Sequence, residues 1–124
     1  MNRKTEFDTS QVGLRAFLKD YEEEAMRILW KKTEGLNSRD VWAKVNEVLG
    51  VNAISRASII NFLEYMRETG VLKGVDRTGK GGHHWIYVPT MNEAQFKAYL
   101  ANNLIENLLK SFPEETKQVL KRYI

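Results

Sequence analysis

Residues 55–89 read SRASIINFLEYMRETGVLKGVDRTGKGGHHWIYVP, and the change of period inside this stretch decides the fold. In its first half Ile59, Phe62, Leu63 and Met66 recur three and four residues apart, the spacing of a helix with one buried face. Ser55 offers an oxygen to the first turn, and Gly70 stands where helices commonly stop. The second half changes to strand character. Residues 71–75 and 84–88 read as two strands, with Pro89 closing the second. Between them, residues 76–83 read as a long flexible loop with a glycine-rich basic tip. A capped helix therefore runs into a β-hairpin.

Upstream, two more helices are predicted. Asp20 is placed as a cap with Glu23 at the third helical position, followed by a stripe of Tyr21, Ala25, Ile28 and Leu29 that Trp30 extends and Gly35 ends. Leu36 is a short extended link. Asn37 with Asp40 starts the second helix, whose apolar face is Val41, Trp42, Val45, Val48 and Leu49, and Gly50 stops it. The three helices are expected near residues 20–33, 38–49 and 55–69, over a core that includes Met26, Leu29, Val41, Val45, Ile59, Phe62, Leu63, Val71 and Tyr87. Residues 1–8 are polar and expected to fray. Residues 10–18 show helical spacing at Val12, Ala16 and Phe17, interrupted by Gly13.

Three short helices followed by a hairpin with a basic tip are the plan of a winged helix-turn-helix, in which the third helix enters the major groove of DNA. The face of that helix opposite the core carries Arg56, Ser58, Asn61 and Tyr65. Arginine pairs with guanine, asparagine with adenine, and serine with several groups. The amides near Ser55 can receive a phosphate. Arg77, Lys80 and His83 stand among small glycines at the hairpin tip, where the backbone can approach a sugar-phosphate chain. Surface Arg, Ser and Asn are usually only solvent-facing, and hairpin cations are common edge-strand charges. Their convergence on one face of one motif favours double-stranded DNA as the partner. The alternative is a winged-helix module that docks a protein or RNA, which needs an apolar patch on the same surface; Ile60 and Tyr65 point that way.

The helices also resemble a known family. Leu18, Glu22, Ala25-Met26 and Leu29-Trp30 are similar to the opening helix of the penicillinase repressors. Leu36-Asn37-Ser38-Arg39-Asp40-Val41 resembles that family's approach to its second helix. Ser58-Ile59, Leu63, Met66 and Gly70-Val71-Leu72 resemble the third, and Trp85-Ile86-Tyr87-Val88-Pro89 the closing strand. The resemblance covers residues 18–89 and implies a DNA-binding winged helix, a dimer, and repression at a palindromic operator. The chain departs from the pattern at Tyr65, where the family often has Arg, and in a longer hairpin tip. The cysteine-rich tail of copper-responsive members is absent.

The last part of the chain is helical. Thr90 with Glu93 is predicted to cap a helix whose wide apolar face holds Phe96, Leu100, Leu104 and Leu108, flanked by Ile105, Leu109 and Phe112. Ser111 and Pro113 begin a final helix with Val119, Leu120 and Tyr123 inside. A domain ending at Pro89 can close its own core, so these residues are surplus apolar surface beyond what soluble monomers tolerate. A homodimer paired through Phe96, Leu100, Leu104, Leu108, Phe112 and Leu120 buries them; the alternative is that these helices fold back on the winged domain. The expected class is mainly α with a small β-hairpin: an arm at 1–17 with some helical character, a winged helix-turn-helix at 18–89, and dimerisation helices at 90–124.

Composition bounds the rest. With 124 residues, 43% hydrophobic and 28% charged, the chain is long enough for one core without cross-links. A net charge of +3 permits nucleic-acid binding without requiring it. No cysteine is present, which excludes disulfides, zinc-thiolate sites and thiol catalysis. His83 and His84 are strand neighbours pointing to opposite faces and cannot share a metal. Glu22-Glu23-Glu24 suits a helix dipole. Gly79-Lys80-Gly81-Gly82 lacks the spacing of a phosphate-binding loop. Neither Ser38 nor Ser55 has a base to activate it. No enzyme, catalytic residue, metal or cofactor is expected. With no signal-peptide pattern and no run near the about 18 apolar residues of a membrane span, a cytoplasmic location without membrane association is expected. Neither an operator nor a small-molecule effector can be read from the residues.

Overall fold

The computed structural model describes residues 6–79 and 82–124; of the side chains, those of residues 78–84 are outside the description. The elements are α1 (Asp20–Lys31), α2 (Ser38–Leu49), α3 (Arg56–Glu68), β1 (Leu72–Gly79), β2 (Gly82–Pro89), α4 (Glu93–Ser111) and α5 (Pro113–Leu120). They form two compact units, Met1–Glu93 and Ala94–Ile124. Of the segment expected to fray, residues 1–5 lie outside the described residues. The helical spacing at residues 10–18 becomes a single 3-10 turn, Gly13–Ala16, whose Leu14 and Ala16 are buried.

The first unit is a winged helix. Every core residue expected from the sequence is buried, joined by Leu18, Ala25 and Leu72. The start of α1 differs from expectation by one residue. Lys19 is the cap position, and Glu22 rather than Glu23 reaches back, accepting the Lys19 amide at 2.8 Å. Glu22 is only 1% exposed, on the same face as Ala25, Met26 and Leu29. A carboxylate on that face is tolerated because it satisfies an orphan amide of the first turn. Asp20 accepts the Tyr21 amide from within the helix, and Glu23 pairs with Arg27 at 2.7 Å. At α2, Asn37 caps as expected, its side chain accepting the Asp40 amide at 2.8 Å. The buried face of α2 is narrower than predicted, Val41 and Val45, with Val48 61% exposed.

The hairpin is longer than its sequence suggests. β1 and β2 pair antiparallel from Leu72↔Pro89 to Gly79↔Gly82. The expected long loop is thus mostly ladder, with Asp76, Arg77 and Thr78 opposite Trp85, His84 and His83. The ladder needs only backbone donors and acceptors, so polar side chains do not forbid it. Gly79 and Gly82 bracket a two-residue connection, the commonest hairpin length.

Leu36 adds a one-residue third strand. Its amide donates to the Tyr87 carbonyl at 3.1 Å, and the Tyr87 amide donates back at 2.8 Å. Gly35 makes this approach possible. It has φ +97°, and a Cβ there would lie 2.7 Å from methyls of Ile86 and Val88 and 2.8 Å from the Tyr87 oxygen. After β2, Thr90 does not cap α4 as expected. Its hydroxyl donates to the carbonyls of Gly70 and Val71, tying the end of the hairpin to its beginning. The next turn is held to α1. The Trp30 indole donates to the Met91 carbonyl at 3.1 Å, and Arg27 reaches Glu93 at 3.2 Å.

In the second unit Pro113 opens α5, with Phe112 rather than Ser111 at the cap position; Ser111 donates to the Asn107 carbonyl. Thr116 is buried and donates to the Leu108 carbonyl, closing the α4–α5 corner. Tyr123 lies beyond the helix and is exposed. No helix among the described residues is long and apolar enough to cross a membrane.

Gly35 and Gly70 give a paired test. Both have positive φ, but a Cβ at Gly70 meets open space. Gly70→Ala should cost roughly 1–2 kcal/mol, the strain alone. Gly35→Ala adds overpacking and should cost roughly 2–5 kcal/mol. Urea unfolding of both variants measures the difference.

Candidate nucleic-acid interface

The start of α3 is fixed by two side chains of α2. Asn46 accepts the Ile54 amide at 2.9 Å and donates to the Ile54 carbonyl at 3.1 Å. The Trp42 indole donates to the same carbonyl at 2.9 Å. Both backbone groups of Ile54 are thereby held, and the next residue, Ser55, begins the helix. Ser55 accepts the Ser58 amide at 3.2 Å, and the two hydroxyls are 3.0 Å apart. Trp42 is expected on an apolar face, yet it spends its indole N–H on this carbonyl, and Asn46 is not among the residues singled out from the sequence. A signal was there: an asparagine one turn after Trp42, on a face otherwise apolar, invites a backbone partner.

Successive residues of α3 turn by about 100°. Ile59, Phe62, Leu63 and Met66 are buried on one side. Directly opposite stand Ala57, Asn61 and Glu68, all exposed, with Glu64 half-buried. Arg56 is exposed on one flank of this arc, beside half-buried Ile60; Ser58 and Tyr65 are half-buried on the other. Among the expected reading residues, Asn61 is therefore the most outward, and the Ser58 hydroxyl is already engaged with Ser55. Ala57, which was not anticipated, leaves room for close approach near the start of the helix. Glu64 and Glu68 put two carboxylates on the arc.

On the hairpin, Arg77 is exposed and paired in register with His84. His83 lies in β2 opposite Thr78, with its side chain outside the described residues, and Lys80 lies outside them altogether. Neither Arg56 nor Arg77 is paired with a carboxylate among the described residues.

Between helix and hairpin lies a network that the sequence did not announce. Arg67 donates twice to Glu64, at 2.9 and 3.1 Å, and the Tyr87 hydroxyl donates to Glu64 at 2.6 Å. The Arg67 hydrogen bond holds the Glu64 carboxyl below its usual range, aided by the Tyr87 hydroxyl and the positive charge. The same pairing raises the Arg67 guanidinium. Burial, with Glu64 adjacent, pushes the Tyr87 phenol well up.

A capped third helix, an outward polar arc and an adjoining antiparallel wing agree with a family comparison. The penicillinase repressor family model matches residues 18–122. The chain belongs to the penicillinase repressor family. It is a DNA-binding transcriptional regulator with a winged-helix domain. The match runs past the winged helix into the C-terminal helices, further than the residues that carry the resemblance in the sequence. No curated protein matches the chain. The chain is also similar to the crystal structure of a protein described as a candidate transcriptional regulator of Thermoplasma acidophilum. That similarity has 20% identity and a TM-score of 0.49, and covers 73% of this chain and 93% of that one.

Two outcomes follow from this geometry. Asn46→Ala leaves both Ile54 groups without their amide partner and should destabilise the chain by about 1–3 kcal/mol in chemical unfolding. Glu64 is linked to pH. Its folded pKa lies below the ordinary 4.5, so its contribution is present above that value and is lost as pH falls through the lowered one. Glu64→Gln should therefore lower the melting temperature at neutral pH and leave a smaller difference from wild type in acid.

Proposed function

We propose that the chain acts as a homodimeric repressor that binds an inverted-repeat operator in double-stranded DNA. The observation that carries the reading is the exposed polar arc of α3, with Asn61 near its centre and exposed Arg56 on its flank, adjoining a wing that bears exposed Arg77. Arg56, Ser58 and Asn61 contact base edges, with Ser55 at the helix start and Tyr65 at a base edge or phosphate. Arg77, Lys80 and His83 contact phosphate or the minor groove beside the wing.

The dimer is supported by apolar surface on the last two helices. Phe112 is 57% exposed, Val119 44% and Ile105 38%, while Leu104, Leu108 and Leu120 are half-covered. Phe96 and Leu100, also expected at the interface, are buried already in the single chain. The pairing surface is thereby centred on Leu104, Leu108, Phe112 and Leu120, with Ile105 and Val119. A two-fold axis through this surface covers it on both copies and presents two reading helices to successive major grooves, about one helical turn or a multiple apart. Occupying such a site blocks access of the transcription machinery to it.

Selection of genomic fragments by the purified protein should enrich an inverted repeat. Asn61→Ala should cost about 1–3 kcal/mol on that site and relax the preference at one base position in each half. Lys80→Ala should weaken all sequences alike and flatten the salt dependence. Enrichment of no motif sinks the operator reading. Sedimentation of the intact chain at micromolar concentration should give twice the chain mass, and Phe112→Glu with Val119→Glu should give a monomer. A monomer mass for the unaltered chain refutes the dimer.

A further inference from the structure

Arg67 joins three elements at once. From α3 its guanidinium forks onto Glu64, and it lies 5.1 Å from the ring centre of Trp85 on β2. Tyr87, two residues along the same face of β2, donates its hydroxyl to Glu64 Oε2, the oxygen that also accepts from Arg67 Nε. Across the ladder, Gly74 of β1 is paired with Tyr87. A Cβ at Gly74 would lie 2.8 Å from Arg67 Cδ and 3.0 Å from Trp85 Cε3. The arginine stem thus fills the space that a side chain at position 74 would take. The base of the hairpin is tied by Leu36 and Thr90, and this second tie extends from the Tyr87 rung two residues further out, to Trp85.

The geometry points to Glu64, Arg67, Trp85 and Gly74 as positioning residues that set the angle of the wing to the reading helix, so that Arg77 meets the DNA backbone when α3 is seated. This rests on the proposed reading of DNA by α3 and the wing. Leverage supplies the magnitude. Arg77 lies roughly 10 Å along the strand from Gly74, so a tilt of about 10° moves it by about 2 Å. A hydrogen bond to phosphate does not survive that displacement. A two-stranded hairpin is too weak to hold such an angle by itself.

The test is a double-mutant cycle in the full-length chain. Wild type, Arg67→Met, Arg77→Ala and the double variant are titrated onto the duplex enriched by genomic selection, and onto a scrambled duplex of equal length, across a salt series. Arg67→Met should weaken binding to the selected duplex about fivefold to tenfold and reduce the salt slope by about one for each protomer. In the Arg77→Ala background the same change should cost less than about twofold, because the contact it serves is already gone. Glu64→Gln, nearly isosteric, should reproduce this pattern and takes the place of Arg67→Met should that variant fail to fold. Equal losses in both backgrounds overturn the proposal, since the network then supports the fold without aiming the wing. So does the absence of any loss in folded Arg67→Met and Glu64→Gln. If Arg77→Ala alone changes neither affinity nor slope, the proposal falls together with the DNA reading of the wing, a result distinct from the other two.

Discussion

The reciprocal backbone bonds between Leu36 and Tyr87 are the contact on which the winged unit depends. A two-stranded hairpin in water is marginal by itself. Here it is fixed to the helices through the link between α1 and α2, and Tyr87 carries the joint in two ways. Its backbone pairs with Leu36, and its buried side chain ends on Glu64 of α3. Gly35 is the condition for the first, because any Cβ there would meet Ile86, Val88 and the Tyr87 oxygen. One strand residue therefore connects the link, α3 and the wing, so the hairpin can serve as a rigid projection.

Much of this was legible in the sequence, for local reasons. Ser55 and Asn37 cap their helices through oxygens that reach three residues ahead, and the buried face of α3 follows its 3.6-residue period. What stayed hidden depends on partners far apart in sequence. Asn46 and Trp42 serve Ile54 across a turn, and Tyr87 serves Glu64 over 23 residues. No periodicity marks such pairs. The ladder from Asp76 to Gly79 was hidden because glycine and polar side chains read as loop, whereas strand pairing is a backbone property. The one-residue error at α1 arose because Asp20 and Lys19 both precede the apolar stripe. The buried carboxylate of Glu22 decides between them, and its burial is a tertiary fact.

The surplus of apolar residues in the last two helices was legible as an amount, but not as a location. Phe96 and Leu100 share the helical stripe with Leu104 and Leu108, so sequence spacing treats them as one face. Burial separates them: the stripe is covered at its N-terminal end and open toward Phe112.

Electrostatics gives the proposed pairing a purpose in a protein of this composition. A net charge of +3 gives only modest attraction to a polyanion. The outward arc of α3 adds Glu64 and Glu68, and Arg67 is occupied with Glu64, which offsets that carboxylate but removes one cation from the surface. With so small a net charge, a single winged unit of the proposed repressor gains only modestly from phosphate contacts and reads a half-site weakly. In the proposed dimer the second unit acts at an effective concentration of about 1 mM. A half-site dissociation constant of about 10 μM is then improved about 100-fold, with no new contact. The gain is lost where the second half-site is absent or wrongly spaced, so modest charge combined with pairing favours paired half-sites over bulk DNA. Raising the basicity of the reading surface would increase affinity for every sequence and blunt that difference.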